Sequence, residues 1–471
     1  MLREARAFFR AAVRFVGEEG YALLLEPMRR VGWVVVVVSA IACGRTSTPS
    51  QGNPAPIVDA SEDDAATGAD ASRDATEGQD VREDVSEAAP PVDAGHDTGA
   101  DAPSSPCPTG SSLVVDGTAC PGAAVATPAS WESAMQGAAR GDIVTLDTAT
   151  LDSAPCLPVH VCQPDGAPTL LFSDSPETPS SDGVLYADTI GPGTYRLYVY
   201  QANGGTASRK FPVVVLNQGA SDAHVVIARR GLGGPPSTDY VGVGKAAVLD
   251  WLASTGAGTL TVPASTRVLL DPALDALHAN AQQLVHAIYD VTLDAPVKVS
   301  FVSVASAEDA ATLAASLSLL PADTNHARGT FPGAERWFVA AAAVDSTTLR
   351  TLRLGDAPLD PPLAGKDATS GAAATLGGNY GVLYRLEMQL GAATGLAAFA
   401  RGGDWGGGGV VPAGTDGTTS PVALPSATSA VSAGNQAVLL GRFTAATALD
   451  AELLSAGGSS LPIDLAVAPL P

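Results

Sequence analysis

From Thr169 onward the chain alternates short apolar runs with clusters of Gly, Pro, Asn and Asp, a rhythm that favours sheets over long helices. Phe211-Pro212-Val213-Val214-Val215-Leu216 leads into the turn Asn217-Gln218-Gly219-Ala220-Ser221 and the return His224-Val225-Val226-Ile227-Ala228-Arg229. Leu260-Thr261-Val262, a turn at Pro263 to Thr266, and Val268-Leu269-Leu270 repeat the arrangement. So do Leu284 to Thr292 and Val297 to Val304, joined at Asp294-Ala295-Pro296. β-Branched residues suit a pleated, half-buried surface, while Gly, Pro and Asn supply the dihedrals of tight turns. The 50 Gly and 35 Pro among 471 residues fit the same architecture, since both are costly inside helices.

The order recurs further along. Tyr384 to Leu390, the turn Gly391 to Gly395, and the return Leu396 to Arg401 follow the same plan. Ala228-Arg229-Arg230-Gly231 matches Ala400-Arg401-Gly402-Gly403 at an offset of 172, and Val268-Leu269-Leu270 matches Val438-Leu439-Leu440 at 170. The expected fold is mainly β: two antiparallel β-sandwich modules, 168–320 and 321–471, with short helical insertions, after a disordered acidic linker. The insertions are expected at Val241 to Ala253 and at Ser306 to Leu320, with Ser306 as N-cap and Glu308 and Asp309 in the first turn. A small Cys-containing region, 107–167, precedes the modules. Within it Ala129 to Arg140 reads as a short helix that stops near Gly141 and leads into a strand at Ile143.

The N-terminal 106 residues are of a different kind. Met28-Arg29-Arg30 is a short positive segment, followed by the apolar run Val34 to Val38 and by Ser39-Ala40-Ile41-Ala42-Cys43-Gly44. Small residues before a cysteine at the end of such a run resemble the bacterial lipobox, with Ala40 where Leu is usual. The resemblance implies a signal region over 1–42 and lipidation of Cys43 after cleavage. It also implies attachment to a membrane through the lipid anchor. Residues 1–27 fit a start assigned too far upstream. Gly44, rather than Asp, after the cysteine favours the outer membrane or cell surface by the sorting rule of enteric bacteria.

Residues 44–106 hold 14 acidic and 3 basic residues and no Phe, Trp or Tyr. Such a segment cannot bury enough apolar surface to offset its ordering entropy. With Cys43 it is expected to form a disordered Asp/Ala-rich linker, 43–106, reaching roughly 45 Å or more. Its acids lack the spacing of a calcium-binding EF-hand loop. The net charge of −23 and a pI near 4.4 argue against nucleic acid as a partner.

Four further cysteines, Cys107, Cys120, Cys156 and Cys162, are expected to form two disulfides in an exported chain. Nearest-neighbour pairing, Cys107–Cys120 and Cys156–Cys162, is the first choice of three connectivities. A metal site at Cys156, His160 and Cys162 lacks a paired C-x-x-C, and no metal or other cofactor is expected.

Leu171-Phe172-Ser173-Asp174-Ser175-Pro176-Glu177, Gly183-Val184-Leu185-Tyr186, Ser237 to Lys245 and Gly378-Asn379-Tyr380-Gly381 resemble a family of uncharacterised bacterial envelope proteins. Its members are cyanobacterial secreted proteins and bacillus relatives carrying a copper-amine-oxidase-like N-terminal module. The resemblance spans about 168–400 and implies a secreted or surface setting, with no catalytic residues. The module itself is missing here, so copper is not implied.

Chemical motifs are sparse. Gly242-Val243-Gly244-Lys245 looks like the end of a phosphate-binding loop, but Asp239 and Ala246 stand where Gly and Ser or Thr are required, so a helix start is expected. No G-x-S-x-G or H-E-x-x-H occurs. His278 and His286 read as surface or packed histidines rather than a metal pair. Asp239, Glu335 and Glu387 lie nearest aromatic residues, without further sign of catalysis. The most suggestive surface feature is Asp404-Trp405 before Gly406-Gly407-Gly408-Gly409, where an exposed Trp could stack on a sugar. The expectation is a structural, adhesive or glycan- or protein-binding surface lipoprotein, more plausibly not an enzyme. The alternative is a hydrolase of cell-wall or extracellular polysaccharide. A deep cleft with two carboxylates about 5–9.5 Å apart would point to the hydrolase. A shallow aromatic face without perturbed acids would point to binding.

Overall fold

The computed structural model describes residues 24–30, 33–39, 106–119, 125, 127, 129–146, 151, 153–345, 347–412 and 420–470. Cys43, Cys120 and the expected linker, apart from Pro106, lie outside the described residues. Within the expected signal region, Leu24–Arg30 and Trp33–Ser39 pair as an antiparallel hairpin.

The rest of the described chain is built from four sheets in two sandwiches. The first sheet runs Arg267–Leu269, Val213–Leu216, Val297–Ala305, Gly183–Ile190. The second has eight strands in the order Gly258–Val262, Ala223–Ser237, Leu284–Leu293, Gly193–Ala202, Thr169–Ser173, Arg328–Phe331, Leu363–Lys366, Ala373–Leu376. A third, of seven strands, is centred on Thr447–Ser455, Leu383–Leu390 and Glu335–Ala340. A fourth, of five, is centred on Ile463–Pro469, Thr394–Ala400 and Gln436–Phe443. Pairing is antiparallel except between Thr169–Ser173 and Gly193–Ala202, and between Glu335–Ala340 and Leu383–Leu390.

The strand–turn–return runs are arches between sheets. Val213–Leu216 lies in the first sheet and its return, Ala223–Ser237, in the second; Leu284–Leu293 and Val297–Ala305 cross back the other way. The arches stack, each strand pairing its counterpart in its own sheet. The second sandwich repeats the device, with Leu383–Leu390 and Thr394–Ala400 stacked on Gln436–Phe443 and Thr447–Ser455. The match at offset 172 therefore joins equivalent arches. The match of Val268-Leu269-Leu270 to Val438-Leu439-Leu440 does not. Arg267–Leu269 is an edge strand beside Val213–Leu216, whereas Gln436–Phe443 sits where Leu284–Leu293 does.

The divisions at 167 and 320 do not separate independent bodies. Ser111–Gly117 and Val159–Pro164 extend the third sheet, and Ile143–Thr145 edges the fourth. Trp131 and Met135 of helix Ala129–Met135 cover the fourth sheet's outer face, against Phe399 and Leu439. Strands from residues 328–376 complete the second sheet. That sheet is consequently buried on both faces. Leu171, Leu197, Val199 and Tyr289 point into the core shared with the first sheet. Leu170, Phe172, Tyr198, Tyr200 and Ile288 point into the core shared with the second sandwich. Alternation puts successive residues on opposite faces, so double coverage turns the usual apolar–polar pattern into runs such as Leu197-Tyr198-Val199-Tyr200.

Helix Tyr240–Ala253 fills one end of the junction. Asp239 caps it, its carboxylate accepting from the Gly242 N–H, which accounts for the loop-like glycines without any phosphate. Lys245 is buried and donates to the carbonyls of Pro425 and Thr428. The helix lies so close to its seat that a Cβ on Gly231 would stand 2.1 Å from the Ala247 carbonyl oxygen. The expected helix at Ser306 to Leu320 is corrected to the single turn Ala310–Leu313, capped by Asp309 instead of Ser306. Beyond that turn the backbone straightens, and Ser318 and Leu320 hydrogen-bond Val184.

Candidate functional site

A cleft of about 810 Å³ opens where the second sheet meets the loop Gly457–Ser460 of the second sandwich. Alternation in two neighbouring strands builds its apolar wall. Phe172 points into it from Thr169–Ser173, and Tyr198 and Tyr200 from Gly193–Ala202, with Tyr380 completing the wall. Phe172 stacks on Tyr198 at 4.8 Å between centroids and on Tyr380 at 6.5 Å. The Tyr380 hydroxyl donates to the Ser459 carbonyl at 2.6 Å, tying the connection between the second and third sheets to this loop. Gly457 must lack a side chain, because its Cβ would stand 2.4 Å from the Tyr200 ring.

The polar wall begins where strand Thr169–Ser173 ends. Asp174 is 8% exposed, and its Oδ1 has no hydrogen-bond partner among the described residues. Three residues on, Glu177 faces His326, with Oε2 3.3 Å from Nε2. The other ring nitrogen, Nδ1, lies 3.0 Å from Asp323, so the imidazole is held between two carboxylates. Asp323 in turn accepts from the backbone N–H groups of Glu177, Asn325 and His326.

These surroundings set the acidities apart. Burial, then the charges of Glu177 and Asp323, push the Asp174 carboxyl well above the ordinary range. Burial raises Glu177 too, against the pull of His326. Asp323 is partly buried, which would raise it, but the hydrogen bonds it accepts prevail and hold it low. Burial and the nearby Asp174 and Glu177 carboxyls raise the Tyr200 and Tyr380 phenols. Arg328, which also lines the cleft, is committed to Asp367 at 3.2 Å and to the carbonyls of Leu185 and Leu320. The cleft is therefore aromatic on one side and acidic on the other.

None of the candidate site residues read from the sequence lines this cleft, although the segments 171–177 and 378–381 that carry the family resemblance supply Phe172, Asp174, Ser175, Glu177 and Tyr380 to it. Trp405, expected as an exposed binding side chain, is 1% exposed and part of the core. Its indole donates to Ser455 Oγ at 3.1 Å, and its backbone pairs with Val431. The glycines after it form strand Gly407–Val410, where a Cβ on Gly408 would meet Val248, Leu249 and Leu252 of the helix at 2.9–3.1 Å. The run thus allows a helix to approach a strand; it is not a flexible loop. Asp404 is exposed and accepts from Ser432 at 2.6 Å. Asp239 is the helix cap, Glu335 accepts from the Trp337 indole, and Glu387 pairs with Arg385. His278 is exposed, whereas His286 is fully buried between Tyr198 and Tyr200, and burial depresses its pKa to about 3.

The cysteine pairing also differs from the nearest-neighbour choice. Cys107 is bridged to Cys162 across a separation of 55 residues, which joins the segment before Ser111–Gly117 to strand Val159–Pro164. Cys156 is disulfide-bonded as well, so it is not a thiolate ligand. Among the described residues no group of three or more His, Cys, Asp and Glu could hold a metal. No helix among them is long and apolar enough to cross a membrane.

Fold and site together define a paired β-sandwich with an acidic, aromatic-walled cleft at the junction. No family model and no curated protein matches the chain. Among solved structures, a crystal structure of Cucumber Necrosis Virus is similar at 9% identity, covering 74% of this chain and 94% of that one, with a TM-score of 0.11. A structure of oxalate decarboxylase is similar at 7% identity, covering 65% and 78%, with a TM-score of 0.10. Neither score carries an argument about fold or activity.

Proposed function

We propose that this chain is an envelope lipoprotein, anchored through Cys43 to the outer membrane or cell surface, that binds a saccharide in the cleft beside Asp174 and Tyr198. The observation that carries the reading is the pairing of an aromatic wall, Tyr200 and Tyr380 backed by the buried Phe172 and Tyr198, with a wall of hydrogen-bonding acids. Flat rings cover the apolar face of a sugar while polar groups opposite them take its hydroxyls. The disulfides fit an oxidising compartment, and the lipobox and the resemblance to envelope proteins favour the same address. Isothermal titration against a panel of cell-surface oligosaccharides tests it. Binding should be lost in Tyr200→Ala and weakened several-fold in Glu177→Gln, and a panel without any binder overturns it.

Polysaccharide hydrolysis is the second reading, favoured by the raised Asp174 and Glu177. It is less well supported, because both acids stand on one short segment and Glu177 is held by His326. A glycosidase needs its two carboxyls flanking the scissile bond. Release of reducing ends that disappears in Glu177→Gln would establish hydrolysis instead.

A further inference from the structure

We infer that the saccharide this cleft selects carries a free ammonium group, an inference that rests on the glycan-binding reading. Three observations converge on a cation. The first is charge. Glu177 and Asp323 flank one imidazole, Asp174 lies near enough to both carboxylates to feel their charge, and the guanidinium of Arg328 is already paired with Asp367. The acids outnumber the cations facing the cleft, which disfavours an anionic ligand.

The second is a set of unmet hydrogen bonds. Asp174 Oδ1 and the Tyr198 hydroxyl have no partner among the described residues, though Asp174 is 8% and Tyr198 1% exposed. Both side chains line the cleft. Leaving such groups unpaired costs about 1–3 kcal/mol each, which a ligand that pairs them recovers. An ammonium suits the Asp174 oxygen, and can also donate to the lone pairs of the Tyr198 hydroxyl, since it has three donors. A sugar hydroxyl offers one donor and brings lone pairs toward a carboxylate.

The third is the aromatic wall. Tyr200 and Tyr380, backed by the buried Phe172 and Tyr198, put ring surface on the cleft, and a ring's quadrupole attracts a cation, close to the acids that complete its neutralisation. Burial and the neighbouring carboxylates raise Asp174, so an arriving ammonium should draw off its proton. Binding should therefore release protons. It should strengthen as pH rises toward the folded pKa of Asp174, with Glu177, Asp323, His326, Tyr200 and Tyr380 facing the same space.

The test titrates the intact exported protein with a glucosamine tetramer and, separately, with its fully N-acetylated counterpart. The chain's net charge of −23 attracts any polycation. Titrations are therefore made in about 0.5 M salt, where the Debye length is only about 4 Å. The glucosamine tetramer should bind at least tenfold more tightly and release protons when buffers of different ionisation enthalpy are compared. Tetramethylammonium should compete. Asp174→Asn and Glu177→Gln should each reduce the preference to under threefold while near-UV circular dichroism stays that of the parent. Equal binding of the two tetramers overturns the ammonium inference and leaves the saccharide reading standing. Failure of both tetramers and of the wider panel overturns both. A preference that survives both substitutions, or vanishes at high salt, places the attraction outside the cleft and also overturns it.

Discussion

Replacing Gly231 with Ala tests whether the helix seat is as tight as its geometry implies. The new Cβ would stand 2.1 Å from the Ala247 carbonyl oxygen, 2.6 Å from Trp251 Cβ and 2.7 Å from Trp251 N. Two of these are backbone atoms and cannot turn aside. A carbon–oxygen contact relaxes at about 3.3 Å, so the helix would have to lift by about 1 Å. That movement would disturb Trp251, whose ring lies between the guanidiniums of Arg196 and Arg229 at 4.6 Å each. Overpacking of this kind costs about 1–3 kcal/mol, against about 0.4–1 kcal/mol gained by stiffening the unfolded chain. Gly191→Ala is the control, since nothing lies within 4 Å of its Cβ position. Urea denaturation should show Gly191→Ala unchanged or slightly stabilised and Gly231→Ala destabilised by about 1–2 kcal/mol. Amide exchange should also quicken in the helix. Gly233→Ala, whose Cβ would meet the Val243 carbonyl at 2.3 Å, should combine with Gly231→Ala less than additively, because one lift relieves both. A Gly231→Ala protein as stable as Gly191→Ala would refute the reasoning.

Trp405→Ala should cost about 3–5 kcal/mol in denaturation while saccharide binding at the cleft survives in the folded fraction; a protein of parental stability would return Trp405 to the surface. Replacing Cys107 and Cys162 together by Ser should cost about 4 kcal/mol by the loop-entropy relation for a separation of 55, read from urea midpoints; an unchanged midpoint argues against the bridge. Because Asp174 is raised in the folded protein, the unfolded chain loses this proton first. Its contribution is thus most favourable below about pH 4 and falls as pH climbs toward the folded value. Asp174→Asn should remove that part of the slope and raise stability at neutral pH, and an identical pH profile would contradict the burial of this carboxyl.

Strand positions were legible because turn chemistry is local. Val213–Leu216, Leu284–Leu293 and Val297–Ala305 fall where apolar, β-branched runs are bounded by Asn217, Asp294 to Pro296 and Ser306. Pairing was not legible, because an arch and a hairpin use the same residues and differ only in which sheet the return joins. The single turn Ala310–Leu313 shows tertiary pairing with Val184 overriding a helix-like composition. Trp405 misled because four glycines signal freedom in sequence, whereas here they supply closeness between Gly407–Val410 and a helix. The cleft residues carried a faint signal: Tyr198 and Tyr200 share a face by period 2, and Asp174 and Glu177 bracket the strand's end. Their meeting with His326 and Tyr380 depends on contacts across some 200 residues, which no local pattern encodes.

In a half-exposed sheet a one-residue slip would push apolar side chains into water, so solvent itself polices strand alignment. Between Gly193–Ala202 and Leu284–Leu293 that policing is weak, since both faces are covered and a slipped pair would still hide Leu, Tyr and Val. Arg196 stands opposite Asp290, with Nε to Oδ1 at 2.7 Å and Nη2 to Oδ2 at 3.0 Å. Its remaining nitrogen, Nη1, serves the carbonyls of Ala334 and Gly381. Any other alignment would strand a guanidinium without its carboxylate in a dry interior, at a cost of about 3–5 kcal/mol. The ion pair therefore acts as an index mark, telling two greasy strands which of their many comfortable alignments is the native one.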